Sequence, residues 1–314
     1  MNQILCLNAG CTVRMAQNAL SALFAAAPVE PVRETPLLDA DLLLCHVLET
    51  DRTHLLINFD RVLTEPEISV LTELAEKRLT GLPVAYLVGH KEFFGFDFIV
   101  TPDVLIPKPD TELLVEHALD FLQPRIRSKE FSAGNPLFFA DICTGSGCIA
   151  ISVLKSLNLD PAKNINCCAT DISEAALAVA RKNAESLAAG GINFLHGDLA
   201  APLLPRYKGK LQAVLSNPPY VPRAVAESLL LDGRSEPMLA LNGDDGTSTD
   251  GLALIRRLVP QAEELLAPGG IFLLETGEYN ATDAAALLEA AGFDHVEIAQ
   301  DLAGMPRLVR GIKP

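Results

Sequence analysis

Leu137-Phe138-Phe139-Ala140-Asp141-Ile142-Cys143-Thr144-Gly145-Ser146-Gly147 is a short apolar run that ends in a glycine-bearing loop. A buried parallel strand is a run of about 4–8 apolar residues, and residues 137–142 fit. Residues 148–157 then read as a helix. Strand, glycine loop and helix together open a nucleotide-type βαβ unit. Glycines let the backbone approach a ligand closely, and the helix N-terminus turns its dipole toward it. A second strand over 166–170 ends in Asp171. An acid about 20–25 residues after such a loop is placed to accept from both hydroxyls of a ribose.

Downstream, the units alternate. Ser173 caps a helix to residue 187, and a third strand spans 192–195. Asp198 follows at that strand's end, where it either receives an adenine amino group or caps a turn. A fourth strand, 211–215, runs into Ser216-Asn217-Pro218-Pro219-Tyr220. A helix over 251–266 closes at Pro268-Gly269-Gly270, and 271–275 makes a fifth strand. A helix over 281–291 and strands at 296–299 and 308–312 complete the chain. The expectation is an α/β, Rossmann-like sheet of seven strands with helices on both faces.

The Asn-Pro-Pro-Tyr elbow carries the chemistry. Two prolines donate no backbone N–H, so the strand must stop. Pro219 also holds Pro218 extended. Open α/β sheets bind ligands at the carboxyl ends of their strands. There the Asn217 side-chain carbonyl and the Pro218 backbone carbonyl can accept both hydrogens of a planar –NH2 group. Tyr220 can lay its ring on the plane of that group. Such a nitrogen is a poor nucleophile because its lone pair is delocalised. Holding both N–H bonds lets it pyramidalise toward an electrophile, by orientation and fixed dipoles without a titrating base. Read alone, Asn-Pro-Pro is equally a turn that ends a strand.

The N-terminal part reads differently. Thr12, Pro36, Asp51 and the Thr64/Glu67 pair each open a helix, making a bundle over 12–82. From residue 85 to 106 a period of two with Tyr86, Phe93, Phe94, Phe96 and Phe98 reads as a β-hairpin. Behind it, Asp110 or Thr111 caps a helix over 112–122, and 125–136 reads as a surface loop. The expected organisation is a helical domain at 1–84, a hairpin linker at 85–106 and a catalytic domain at 107–314.

Composition narrows the class. The net charge is −15, and no basic cluster longer than a pair occurs, which speaks against direct nucleic-acid binding. No apolar run approaches the ~20 residues of a membrane span, and the start lacks the basic flank of a signal peptide. Seven cysteines without a repeated Cys-x-x-Cys spacing give no zinc site and fit a reduced cytoplasmic protein, expected to be a monomer.

Together, Asp141 to Gly147, Asp171 and Ser216 to Tyr220 resemble a class I S-adenosylmethionine-dependent methyltransferase acting on a planar amide or amine nitrogen. More narrowly, the chain resembles the bacterial peptide chain release factor glutamine methyltransferases (the PrmC/HemK family). Leu38 to Leu44, Gly81 to Gly89, Leu105 to Glu112, Glu236 to Leu241 and Asp301 to Gly304 carry further matches. The Pro109-Asp110-Thr111-Glu112 segment separates this family from the related ribosomal-protein enzymes.

The resemblance implies a helical domain that grips the release factor and a domain that methylates the glutamine of its Gly-Gly-Gln motif. By matching position, Cys143, Thr144, Gly145, Ser146 and Gly147 line the methionine part of the cofactor. Asp171 binds its ribose, Asp198 and Leu199 lie near the adenine, and Asn217 lies at both cofactor and substrate. Asn217, Pro218, Pro219 and Tyr220 hold the substrate amide. No metal is implied. Cys143 stands where the family has glycine, and Lys108 where it has arginine, which removes a bidentate donor. Residues 242–250 carry extra length, and residues 1–11 extend past the family's start.

Three other readings compete. A DNA or RNA amino-methyltransferase would use the same elbow, against the acidic balance. Gly145-x-Gly147-x-x-Ala150 also satisfies a dinucleotide pattern, but no hydride-transfer pair follows it. A non-enzymatic cofactor-binding module would leave an intact Asn217 without a purpose.

Overall fold

The computed structural model of the chain describes residues 10–128, 130–131, 134–157, 165–231 and 236–314. Most of the expected ragged start therefore lies outside the described residues. Two compact units emerge, residues 1–90 with 227–235 and residues 91–226 with 236–314.

The first unit is helical, and local chemistry starts its helices. The Thr12 hydroxyl accepts the Met15 N–H at the head of Val13–Ala25. Asp51 accepts from His54 at the head of Arg52–Ile57. Thr64 and Glu67 form the expected reciprocal box before Glu65–Leu79. Apolar faces then meet: Ala40, Leu43 and Leu44 of Pro36–Val47 pack with Leu20, Phe24 and Leu71. One charged pair is buried with them. Arg78 Nε lies 2.7 Å from Asp39 Oδ2, and each side chain is 6% exposed. Arg78 also donates to the Pro31 carbonyl at 2.6 Å and to the Gly81 and Leu82 carbonyls. A buried ion pair persists only when its remaining polar atoms are satisfied in this way.

The expected start of the hairpin at residue 85 is corrected. Val84–Val88 is a short helix that opens behind Pro83 and stops at Gly89, whose φ is +83°. A short apolar run does not by itself distinguish the two periods; a proline before it and a left-handed glycine after it favour the helix. The hairpin is β1 (His90–Phe93) and β2 (Phe96–Ile99). Phe93 and Phe98 are buried with Leu114 and Leu122 of the helix Glu112–Arg127. That helix runs past its expected end and through Pro124, because Ile126 still packs on the core.

The second unit holds seven strands: β3 (Leu137–Ile142), β4 (Ile165–Asp171), β5 (Ile192–His196), β6 (Leu211–Ser216), β7 (Leu266–Glu275), β8 (Asp294–Gln300) and β9 (Pro306–Ile312). Their order is β5-β4-β3-β6-β7-β9-β8. β9 is antiparallel to both neighbours, and the other pairings are parallel. β3 and β6 are almost fully buried, as strands covered on both faces must be. Phe139, Ala213 and Leu273 enter one core, and Ala140, Val214 and Phe272 the other. β7 begins at Leu266, five residues before the expected 271. Gly269 and Gly270 exchange backbone bonds with Lys313, so the expected turn is an irregular strand start.

The strand order reverses between β3 and β6. That switch point opens a crevice at the carboxyl ends of these strands. The glycine loop leaves β3 there, and the Asn-Pro-Pro-Tyr elbow leaves β6 beside it.

Candidate active site

Asp141, on the last turn of β3, is fully buried. Its Oδ2 accepts from the Thr144 hydroxyl at 2.6 Å and from the Ala150 N–H at 3.2 Å. These bonds fold the loop back over the start of the helix Cys148–Ser156. Burial pushes the Asp141 carboxyl up to about 7, against those bonds. The backbone N–H of Thr144 reaches across to the Thr170 carbonyl on β4 at 2.9 Å.

Asp171 ends β4. Its Oδ2 accepts from the Gly145 N–H at 2.9 Å, and its Oδ1 from the Ser173 N–H at 2.9 Å. Desolvation raises its pKa, and the Ser173 and Gly145 N–H groups pull it back. Each carboxylate oxygen retains a lone pair for a second donor.

Gly147 has a different role from its loop neighbours. A Cβ there would lie 3.1 Å from Ile151 Cδ1 and 3.2 Å from Ala180 Cβ, and its φ is +81°. It lets two helices close together. Cys143 has φ +62°, a conformation glycine adopts without strain. The departure from the family's glycine is therefore tolerated at some backbone cost.

A cavity of about 440 Å³ occupies this crevice. Its wall includes Cys143, Thr144, Gly145, Ser146 and Asp171. Asp198, Leu199, Asn217 and Pro219 complete the expected set that borders it. Gly147, Pro218 and Tyr220 are outside that wall. Asp198 borders the cavity. It pairs with Arg257 of the helix Ala253–Leu265, and its backbone carbonyl makes the turn to Ala201. Leu199 is buried with φ +51°, and its carbonyl accepts from the Thr170 hydroxyl.

The elbow is fixed on several sides. Ser216 Oγ donates to the Ile142 carbonyl at 2.7 Å, tying β6 to β3. Asn217 Nδ2 donates to Thr111 Oγ1 at 3.2 Å. The Tyr220 carbonyl accepts from Asn280 Nδ2 at 3.1 Å. The Tyr220 hydroxyl lies 3.4 Å from Glu275 Oε1. Asp244, in the extra-length segment, accepts from the Gly251 N–H at 2.7 Å and the Arg223 N–H at 2.9 Å. That segment clamps the elbow from outside.

Three functional neighbours escape a sequence reading. Thr111 stands at the expected N-cap position of Glu112–Arg127, but its side chain makes no capping bond there and meets Asn217 instead. Asn183 is buried, accepts from the Ile99 N–H and donates to the Ile99 and Ser146 carbonyls, joining the hairpin to the glycine loop. Glu275, at the end of β7, is buried beneath the elbow. An acid that ends an apolar strand is the same signal that picks out Asp171. Lys108 keeps an ionic role without arginine's fork: it sits 3.0 and 2.9 Å from the two oxygens of Glu236.

This geometry has relatives. Residues 16–89 match the family model described as PrmC N-terminal domain, and residues 125–232 match Methyltransferase small domain. A release factor glutamine methyltransferase of Burkholderia pseudomallei is 40% identical over 296 residues, 92% of this chain and 97% of that protein. The chain belongs to the release factor glutamine methyltransferase family. The relative of that name from Bordetella pertussis is 41% identical over 278 residues, covering 88% of this chain and 94% of its own length. A solved release factor-specific protein-(glutamine-N5) methyltransferase from Alicyclobacillus acidocaldarius is 28% identical. It covers 69% of this chain and 99% of its own, with a TM-score of 0.37. Family membership and the seven-stranded sheet agree with the resemblance drawn from Asp141–Gly147, Asp171 and the elbow.

Proposed function

We propose that the chain transfers a methyl group from S-adenosylmethionine to the side-chain amide nitrogen of the glutamine in the Gly-Gly-Gln motif of peptide chain release factors. The observation that carries this reading is Asn217 at the cavity edge, its Nδ2 engaged by Thr111. Among the described residues nothing donates to Asn217 Oδ1, so that oxygen is the acceptor offered to a substrate.

The cavity suits the cofactor. Its volume falls within the ~300–1,000 Å³ of small-molecule sites. A carboxylate pinned by two backbone N–H groups stands where ribose hydroxyls would donate, and a glycine loop precedes a helix N-terminus. S-adenosylmethionine supplies an electrophilic sulfonium-bound methyl group. Asp171 would hold its ribose, the segment 143–146 would line its methionine part, and Leu199 would pack by its adenine.

The remaining work belongs to the elbow. Asn217 Oδ1 and the Pro218 carbonyl accept the two N–H bonds of the glutamine amide, and Tyr220 and Pro219 shape the seat around it. Two acceptors stabilise the positive charge that builds on nitrogen. The nitrogen would gain the methyl as the sulfur–methyl bond breaks, its electron pair staying on sulfur to give S-adenosylhomocysteine, and one proton would pass to water. The helical unit that runs to His90 acts as the recognition domain for the release factor. The reaction belongs in the cytoplasm, where termination takes place, and needs neither a membrane nor direct contact with nucleic acid. Among the described residues no helix is long and apolar enough to cross a membrane.

The test uses purified protein, labelled S-adenosylmethionine and a release factor whose Gly-Gly-Gln glutamine is intact or changed to alanine. Label entering only the intact factor supports the reading. Equal label in both, or label passing to naked nucleic acid instead, overturns it.

A further inference from the structure

From Asn217 to Pro222 the backbone is restrained at every residue but one. The rings of Pro218, Pro219 and Pro222 fix their φ angles. Asn217, Pro218 and Val221 each precede a proline, which holds them extended. Tyr220 has neither restraint. It is the soft joint of the elbow, and rotation there swings the Pro218–Pro219 arm against the chain that follows. Beyond the joint the chain is already anchored. The Val221 N–H donates to the Leu241 carbonyl, and the Val221 carbonyl accepts from the Gly243 N–H, each at 2.9 Å.

The joint itself is held by the segment that follows β7. Asn280 Nδ2 donates to the Tyr220 carbonyl at 3.1 Å, and the Tyr279 hydroxyl reaches the same oxygen at 3.4 Å. A carbonyl oxygen can only accept, so the Asn280 amide must turn its –NH2 toward Tyr220. Asn280 does this at the expense of its own helix. It stands at the N-cap of Ala281–Ala290, a position where asparagine is among the best capping residues, yet its side chain makes no capping bond. The residue is 2% exposed, and its Oδ1 has no hydrogen-bond partner among the described residues. A buried amide oxygen left unpaired is unfavourable. The Tyr220 carbonyl, rather than the helix, therefore sets where this side chain points.

We propose that Asn280 is a positioning residue for methyl transfer: by holding the Tyr220 carbonyl it locks the soft joint of the elbow, and with it the direction in which Asn217 Oδ1 and the Pro218 carbonyl meet the substrate amide. This rests on the reading of the elbow as the seat of the glutamine amide. Asn280 is not part of the cavity wall. Its influence falls on the geometry of transfer and leaves cofactor affinity alone.

The experiment compares Asn280→Asp, Asn280→Ser and Asn217→Ala in the full chain, reading kcat, KM for the release factor, cofactor Kd and melting temperature. Aspartate and serine cap helices about as well as asparagine. Neither carries an amide donor for the Tyr220 carbonyl, and the serine hydroxyl ends one bond short of it. A role confined to starting the helix therefore predicts parental turnover in both. Freeing the joint should instead lower kcat roughly tenfold in both, with KM and cofactor Kd within about twofold. If either Asn280 variant turns over like the parent while Asn217→Ala is inactive, the lock is wrong and the reading of the elbow stands. A loss carried wholly by KM or by cofactor Kd also overturns the lock. A fully active Asn217→Ala removes the reading and the lock with it. Should a variant melt early, all are compared below the lowest melting point, and the same outcomes decide.

Discussion

The Gly145 N–H donates to Asp171 Oδ2 over 2.9 Å, joining the loop after β3 to the end of β4. One carboxylate thus shapes the glycine loop and also faces the cavity. Asp171→Ala removes the acceptor for Gly145 and Ser173 together with the proposed ribose contact. Cofactor Kd should rise by roughly tenfold or more, the worth of one or two charge-assisted bonds. Calorimetric titration with S-adenosylmethionine checks it. An unchanged Kd would remove Asp171 from the cofactor site.

Gly251 presses on the elbow from behind. A Cβ there would fall 2.2 Å from the Tyr220 carbonyl oxygen, and its φ is +75°. Gly251→Ala must therefore push the backbone carbonyl or break its own conformation. Strain of this kind costs roughly 1–3 kcal/mol, and the elbow absorbs it. Turnover should fall while cofactor Kd changes little, because the Gly145–Asp171 bond involves neither Gly251 nor Tyr220. A variant with parental turnover would mean that the elbow tolerates displacement.

Two buried carboxyls give the protein a particular pH dependence. Burial pushes both Glu275 and Asp141 up to about 7. Facing Glu275, Thr111, Tyr220 and Arg307 favour its charge, and Asp110 opposes it. Both pKa values exceed those of the unfolded chain, so the folded state holds these protons more tightly. The stability they contribute is fully present below about pH 4 and is lost as pH rises through about 7. Glu275→Gln should flatten the fall in melting temperature between about pH 5 and pH 8. A slope identical to the parent's would show that Glu275 does not titrate in that window.

What the sequence reveals and what it hides divide along distance. Thr12, Asp51, Thr64 and Ser173 were legible as caps because a cap is settled within three or four residues. The strands were legible because burial on both faces demands unbroken apolar runs, as β3 and β6 show. The elbow was legible because two prolines stop a strand whatever surrounds it. Thr111 was not: its local spacing fits a cap, and only the folded chain brings Asn217 to it from the end of β6. Asn183, Glu275 and the Arg78–Asp39 pair share that property, since each is explained by a partner remote in sequence. The helix Val84–Val88 was missed for another reason: five apolar residues fit either period, and Pro83 and Gly89 decide between them.

The most direct measurement is mass analysis of the release factor's Gly-Gly-Gln peptide after incubation with S-adenosylmethionine and either the parent chain or Asn217→Ala. The account predicts one methyl on the glutamine side chain with the parent. With the variant it predicts loss of most transfer, at least about a hundredfold in rate, while cofactor Kd stays close to the parent's. Full methylation by Asn217→Ala, or a methyl on any residue other than that glutamine, would contradict it.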